Sequence, residues 1–228
     1  MQRFYSQFIK KGTLVFDVGA NIGNRTETFL NLGATVIAIE PQPYCADILI
    51  QKYSSNENFT IVQKALGNCA GKSKMWINSA HVISSLSEEW IKRTTSTNRF
   101  GTGQQYYTSC NVEVTTLDNL IQQFGKPDFC KIDVEGFEFE VLQGLSQPIK
   151  TLSFEYTREY SEASENCINH LVNMGNYRFN YSSGESMRLK LRNWVDAQTI
   201  CNCIKSFSGL EWGDIYACYK GEDSNERT

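Results

Sequence analysis

The sequence predicts an open, doubly wound α/β sheet, and three observations carry that expectation. Apolar runs of strand length alternate with helix-like runs through the first two thirds of the chain. The first apolar run passes directly into a glycine turn, VFDVGANIG over residues 15–23, and the second ends on an acid, Glu40, followed by Pro41. Strands alternating with helices of this length imply βαβ units, right-handed crossovers and a parallel sheet. Such strands are covered on both faces, which is why they read as nearly unbroken hydrophobic runs.

Taken in order, residues 13–18 (TLVFDV) form a first strand ended by Gly19, and residues 25–32 a helix stopped by Gly33. Residues 35–39 (TVIAI) form the second strand and residues 44–53 a helix that offers Ile48, Leu49 and Tyr53 for burial. Residues 60–66 read as the third strand, with a turn over 67–71. Residues 74–77 and 112–116 then look like two strands of an insertion. The polar stretch between them, rich in Ser, Thr, Asn and Gly, is longer than a plain connection needs, which marks it as functional or mobile. The alternation resumes after Pro127. Residues 129–134 (FCKIDV) give a strand, 138–145 a helix, 151–156 (TLSFEY) a strand and 167–174 a helix ended by Gly175. The last two strands fall at 177–181 and 214–220. The expected organisation is one domain over residues 1–221, with a polar insertion at 78–111, a variable segment at 182–213 and a polar, frayed tail at 222–228.

A chain of 228 residues with 41% apolar and 21% charged residues is long enough, and ordinary enough, for one folded core. The net charge of −3 argues against a protein dedicated to nucleic acid, which needs a dense basic surface. No secretory apolar region and no run near the roughly 20 apolar residues of a membrane span is present, so a cytoplasmic protein is expected. The eight cysteines do not form a disulfide pattern. Cys130 and Cys218 lie in strand-like runs and Cys45 and Cys167 in helix-like ones, as buried free thiols do. Cys201 and Cys203 form a C-x-C pair, not the C-x-x-C of zinc sites, and zinc is not expected.

The glycine loop is the most informative stretch. Gly19 and Gly23 permit positive φ and close approach to a ligand, and the exposed N–H groups of the following helix favour an anion, a carboxylate as well as a phosphate. The dinucleotide pattern G-x-G-x-x-G is absent, because Asn21 stands at its middle position. Asp17 would repel a pyrophosphate but suits an amino-acid ammonium group, directly or through water. Glu40, 21 residues after Gly19, is placed to accept hydrogen bonds from ribose hydroxyls, a device shared with nicotinamide enzymes. Together Asp17, Gly19, Gly23 and Glu40 point to S-adenosylmethionine. The plain alternative is a glycine-rich turn that binds no cofactor.

Five blocks in order, VFDVGANIG, AIEPQP, KALGN, VEVTTLDNLI and KIDVEGFEFEVLQG, resemble the FkbM family of methyltransferases, from about residue 15 to 154, with a terminal match at GDIYACYK. KIDVEG followed by E-x-E-V-L-x-G is the most specific of them. The resemblance implies a class I methyltransferase, Rossmann-like fold: a seven-stranded, mainly parallel sheet in the order 3-2-1-4-5-7-6 with the last strand antiparallel. It implies S-adenosylmethionine as donor and, most commonly, a hydroxyl acceptor. Asp17, Gly19, Asn21 and Gly23 then fall on the cofactor loop, Glu40 on the ribose acid, and Ala65 and Leu66 beside the adenine. Ser84-Ser85-Leu86 resembles a further family element. The polar stretch after Ser84 and the segment before the last strand are individual to this chain, and acceptor recognition normally sits in such segments.

Ligands bind at the carboxyl ends of strands in open α/β sheets. Asp133, Glu135 and Glu155 are therefore expected to crowd one rim and to raise one another's pKa. Glu135 is the first candidate base and Asp133 the second; the alternative is that either acid bonds backbone amides and shapes the turn. His81, in the polar insertion, is a third catalytic candidate, and His170 reads as structural. No metal is expected: the carboxylates offer hard ligands, but no Asp-Asn pair follows the fifth strand. The basic run over residues 188–192 reads either as contacts to an anionic acceptor or as a charged edge strand. Trp194 and Trp212 read as sugar platforms or as core.

The resulting expectation is an O-methyltransferase acting on a small molecule or a glycan, without nucleic acid or a membrane span. N-methylation of an amine or peptide, a cofactor-binding module without turnover, and a nicotinamide oxidoreductase (disfavoured by Asn21 and Asp17) are the other readings.

Overall fold

The computed structural model describes residues 1–78, 83–101 and 106–221. In chain order the elements are α1 (Gln2–Tyr5), β1 (Leu14–Val18), α2 (Asn24–Asn31), β2 (Thr35–Ile39), α3 (Pro43–Tyr53), β3 (Phe59–Val62), β4 (Ala65–Leu66), β5 (Gly71–Asn78), α4 (Glu88–Ser96), β6 (Tyr106–Thr115), α5 (Leu117–Phe124), β7 (Phe129–Ile132), α6 (Glu138–Gln143), β8 (Thr151–Thr157), α7 (Ser161–Met174), β9 (Tyr177–Ser183), α8 (Ala197–Ser206) and β10 (Trp212–Tyr219). The main sheet has seven strands in the order β3-β2-β1-β7-β8-β10-β9, and β10 runs antiparallel to both its neighbours. Numbered among themselves, these strands give 3-2-1-4-5-7-6.

Alternation along the strands sorts the core into two layers. Phe16, Cys130, Leu152 and Phe154 face one side, where α5, α6, α7 and α8 cover them with Leu120, Leu142, Ile168 and Ile204. Val15, Val36, Phe129 and Tyr216 face the other, against Phe4, Tyr5, Ile9 and Phe29. Phe8 lies in the same layer, parallel to the rings of Phe129 and Tyr216. No described helix is long and apolar enough to cross a membrane.

Several elements differ from the sequence expectation. The strand expected at 60–66 is two. β3, an edge strand, stops at Val62, where the Lys64 amide turns back to the Val62 carbonyl at 2.9 Å. Ala65 and Leu66 then pair with Val114 and Thr115 in a second sheet, β4-β6-β5. The insertion also holds α4, begun by the Ser87 side chain accepting from the Trp90 amide. Helices α1, α5 and α8 were not expected; Thr116 and Asp196 cap the last two by accepting from the amides of Asn119 and Thr199.

The basic run at 188–192 is not an edge strand. The Asn180 side chain occupies the backbone of Leu191 from both sides, its oxygen accepting at 3.0 Å and its amide donating at 2.9 Å. That fixes an irregular path along β9. The tail at 222–228 lies outside the described residues.

Helix α4 is docked by Trp90, which is 1% exposed. A Cβ on Gly136 (φ +88°) would lie 2.2 Å from the Trp90 Cγ, so the indole fills the space that glycine leaves. Trp90→Ala is expected to cost about 3–5 kcal/mol, the usual range for a buried aromatic, measured by urea unfolding. A cost near zero would mean that α4 is not packed against the Gly136 turn.

Candidate active site

The first strand ends in a loop whose geometry requires its residues. The amides of Gly19 and Ala20 both donate to the Ile39 carbonyl, which draws the loop over the end of β2. Gly19 has φ +78°, and a Cβ there would sit 1.8 Å from the Asp133 carbonyl oxygen. The loop and the end of β7 are therefore pressed together as only glycine allows. Asn21 takes φ 50° and accepts from the Ile22 amide through its own side chain, the local bonding that makes asparagine tolerable there.

Glu40 is 2% exposed and lines a cavity of about 450 Å³ at the carboxyl ends of the strands. One carboxylate oxygen accepts from the Asn21 amide and the other from the Gln42 amide, each at 2.8 Å. The Gln42 side chain also bonds the carboxylate, which keeps part of its acceptor capacity free. Burial pushes Glu40 up to about 7, against those two amides, which lower it. Gly19, Asn21, Ala65 and Leu66 line the same cavity. Gly23 opens α2 at φ 92°, close against Leu49 and Tyr53. Asp17 is not in the wall. It lies beneath the loop, accepts from the Thr26 hydroxyl at 2.6 Å, and is raised by burial to about 6. A carboxylate with free lone pairs, a glycine loop and a helix N-terminus around one cavity suit the ribose and amino-acid ends of S-adenosylmethionine.

The adjoining wall, at the ends of β7 and β8, is acidic. Asp133, Glu135 and Glu155 each bring a carboxylate oxygen within 4.8 Å of the others. A divalent cation could accept such a set, but a positive charge is already present: the fully buried Lys131 ammonium is 3.1 Å from Asp133 and 2.9 Å from Asp214. Among the described residues no basic group pairs with Glu135 or Glu155. Partial desolvation in the cavity, then repulsion from the neighbouring acids, raises both above the usual carboxylate range.

The turn that carries Glu135 is shaped by a different acid. Glu138 accepts from the amides of Val134 and Gly136 and is pushed by burial to about 7. Glu135 itself sits at φ 55°, uncommon for a non-glycine residue, with its carbonyl bound by the Ser85 hydroxyl at 2.6 Å. Ser84 lines the cavity, so the Ser84-Ser85-Leu86 element brings the insertion to the acid loop. A buried ion pair, Arg99–Glu159, anchors the insertion beside β8.

His81 lies outside the described residues. His170 packs edge-on against Phe139, away from the cavity. Arg188, Lys190 and Arg192 are exposed and do not line it. The two tryptophans separate: Trp194 packs edge-on to Phe8, whereas Trp212 is 39% exposed at the cavity. Sequence reasoning missed Lys131, Glu138, Arg25 and Arg99. Lys131 was the one with a signal, a lysine inside a strand otherwise reading as buried.

Seven strands in this order, a glycine loop and a strand-end acid at the switch point define a class I S-adenosylmethionine-dependent methyltransferase. Within that class the chain belongs to the FkbM family: residues 17–195 match the methyltransferase FkbM domain. It is 33% identical over 67 residues to a chloroplastic ribosomal RNA small subunit methyltransferase of Arabidopsis thaliana, covering 29% of this chain and 20% of that protein. It is 26% identical over 149 residues to the hexuronic acid methyltransferase AglP of Haloferax volcanii, covering 62% of this chain and 53% of that one. The chain thus spans a fifth and about half of the lengths of these two relatives. Among solved structures, a precorrin-6Y C5,15-methyltransferase from Geobacter metallireducens matches with a TM-score of 0.49 at 11% identity, covering 95% of this chain and 86% of that one.

The acids predict a pH dependence. Asp17, Glu40, Glu138, Glu135 and Glu155 all bind protons more tightly folded than unfolded. Between the ordinary carboxylate range near pH 4 and about pH 7 the folded state therefore holds more protons, and stability falls as pH rises. The Tm is expected to drop from pH 5 to pH 8, and Glu155→Gln to flatten the drop. A Tm rising over that interval in the wild type would show that these acids are solvated.

Proposed function

We propose that the chain is an O-methyltransferase, acting on a hydroxyl of a small molecule or a sugar. The observation that carries this reading is the Glu135–Glu155 pair beside Asp133, lining the same cavity as the donor loop. An alcohol is a weak nucleophile until its proton leaves, and a carboxylate raised towards neutrality is suited to take it.

S-adenosylmethionine, when bound, supplies an electrophilic methyl group for in-line transfer. Glu40 accepts the ribose hydroxyls, Ala65 and Leu66 border the adenine, and Gly19, Asn21 and Gly23 offer the loop and the N-terminus of α2 to the amino-acid end. Asp17 acts from below, fixing α2 through Thr26. Glu135 removes the acceptor proton, and Asp133, paired with Lys131, stands beside it. His81 stays a third candidate, and no metal is invoked.

A carbohydrate acceptor is supported by the relative named for hexuronic acid. The relative named for ribosomal RNA matches only 29% of the chain, and the net charge of −3 does not favour a phosphate backbone. Eight free cysteines fit a cytoplasmic setting.

Calorimetric titration with S-adenosylhomocysteine tests the donor half. Glu40→Ala is expected to weaken binding by about 10- to 100-fold, the value of one or two hydrogen bonds to a charged group. Release of S-adenosylhomocysteine with a panel of alcohols, glycosides and amines tests the chemistry. Glu135→Gln is expected to slow a hydroxyl acceptor by about 10²- to 10⁴-fold. Unchanged turnover in both Glu135→Gln and Asp133→Asn would remove the base. Turnover with amines alone would make this an N-methyltransferase, and binding without release on any acceptor would make it a cofactor-binding module.

A further inference from the structure

The cavity has a second half that the donor reading does not use. Trp212 opens β10, and its register partner across the ladder is Thr157 of β8. Asp214 and Glu155 form the next pair on that face. Trp212, Thr157 and Glu155 therefore follow one another along a single face of the sheet, and all three line the cavity. Trp212 is 39% exposed, an indole turned to solvent in a chain that leaves few of its described aromatics exposed.

The charges along this wall are unequal in availability. Arg25, at the start of α2, directs one terminal nitrogen to both carboxylate oxygens of Glu185 at 2.7 Å. Its side chain is 15% exposed. Glu185 follows β9 and is set beside Trp212, since the Gly184 amide donates to the Trp212 carbonyl at 2.7 Å. The other described basic side chains of the cavity are also paired, Arg99 with Glu159 and Lys64 with Glu113. Among the described residues, Glu135 and Glu155 have no such partner. An entering anion would thus meet carboxyl groups and cations already taken.

We propose that the space between Trp212 and the Glu135–Glu155 pair is an acceptor subsite for an uncharged hydroxylated ring, a neutral sugar, and that Glu185 enforces this choice by holding Arg25. The inference rests on the methyltransferase reading above. The exposed indole offers an apolar plane to the C–H face of such a ring. Thr157, Glu155 and Glu185 accept from its hydroxyl groups. A carboxylate or phosphate on the ring would be repelled by Glu185 and would have to break the Arg25–Glu185 pair to gain a partner. An ammonium group gains little, because Glu135 and Glu155 are held towards their neutral forms.

The test is equilibrium binding to the full chain saturated with S-adenosylhomocysteine. The probes are p-nitrophenyl β-glycosides and the matching uronides in the gluco and galacto series, with p-nitrophenyl glucosaminide as the amine. A neutral glycoside is expected to bind at least about ten-fold more tightly than its uronide. Trp212→Ala should weaken it by roughly ten-fold and Trp212→Phe by much less, since a ring remains. Glu185→Gln, at an exposed position, should narrow the gap between glycoside and uronide several-fold by freeing Arg25. The proposal is overturned if no neutral glycoside binds, if the uronide or the amino sugar binds as tightly, or if Trp212→Ala changes nothing. Protein that binds S-adenosylhomocysteine but fails these comparisons loses the subsite and keeps the methyltransferase reading; protein that does not bind it loses both.

Discussion

The buried ammonium of Lys131 is the constraint from which the rest of the site follows. It is completely enclosed, and a charge so placed is tolerated only with close partners. It finds Asp133 at the end of its own strand and Asp214 on β10, reaching past β8, where Ser153 stands beside it in register. Asp17 lies in register on the other side, in β1. One cation thus sits amid acids from three strands. Asp133 and Asp214 have it as a partner, whereas Glu135 and Glu155, farther along the same rim, do not. Acids of one chemical type are thereby sorted by environment, two beside a buried cation and two without one, a difference that proton-transfer chemistry can use.

The two halves of the cavity are held together by backbone, not by side chains. The loop after β1 and the end of β7 meet where Gly19 faces the Asp133 carbonyl, with no room for a Cβ. Whatever the donor loop binds is therefore set at a fixed distance from the acidic rim. The insertion is fastened to that rim at two places, by the Ser85 hydroxyl on the Glu135 carbonyl and by Trp90 on Gly136. An uncommon backbone conformation at Glu135 is thus maintained by contacts on either side of it.

Much of this was legible in the sequence, and what was not has physical reasons. Strand-to-glycine-to-helix order and the acid at Glu40 announce themselves locally, because backbone geometry and a fixed spacing demand them. The main-sheet order needed the family resemblance, since strand order is set by contacts far apart in sequence. The two insertion strands were legible at 74–77 and 112–116 but not in their full extent, because β5 and β6 are partly polar and pair mostly with each other, so their ends lack the buried-run signature. Helices α5 and α8 are announced only by their capping residues: Thr116 closes the strand expected at 112–116, and Asp196 lies inside the segment expected to be variable at 182–213. In the site, proximity of Asp133, Glu135 and Glu155 followed from strand ends alone. The turn-shaping role, weighed for Asp133 and Glu135, belongs to Glu138, a switch within one turn that composition cannot resolve. The placement of Trp212 against Trp194 depended on which face of the fold each residue reaches.

The Asn180 side chain has one more effect. Strand β9 is the outer strand of the main sheet, and such an edge offers unpaired backbone to any passing chain. Here Val195 exchanges backbone hydrogen bonds with Phe179, the Lys190 amide donates to Tyr181, and Asn180 clamps Leu191. The segment behaves as a selvedge: it closes the sheet without adding a strand, and turns Arg188, Lys190 and Arg192 outward as like charges. Because the same segment also delivers Glu185 to the cavity, changes that retune what the cavity admits are made in the stretch that keeps separate molecules from joining edge to edge.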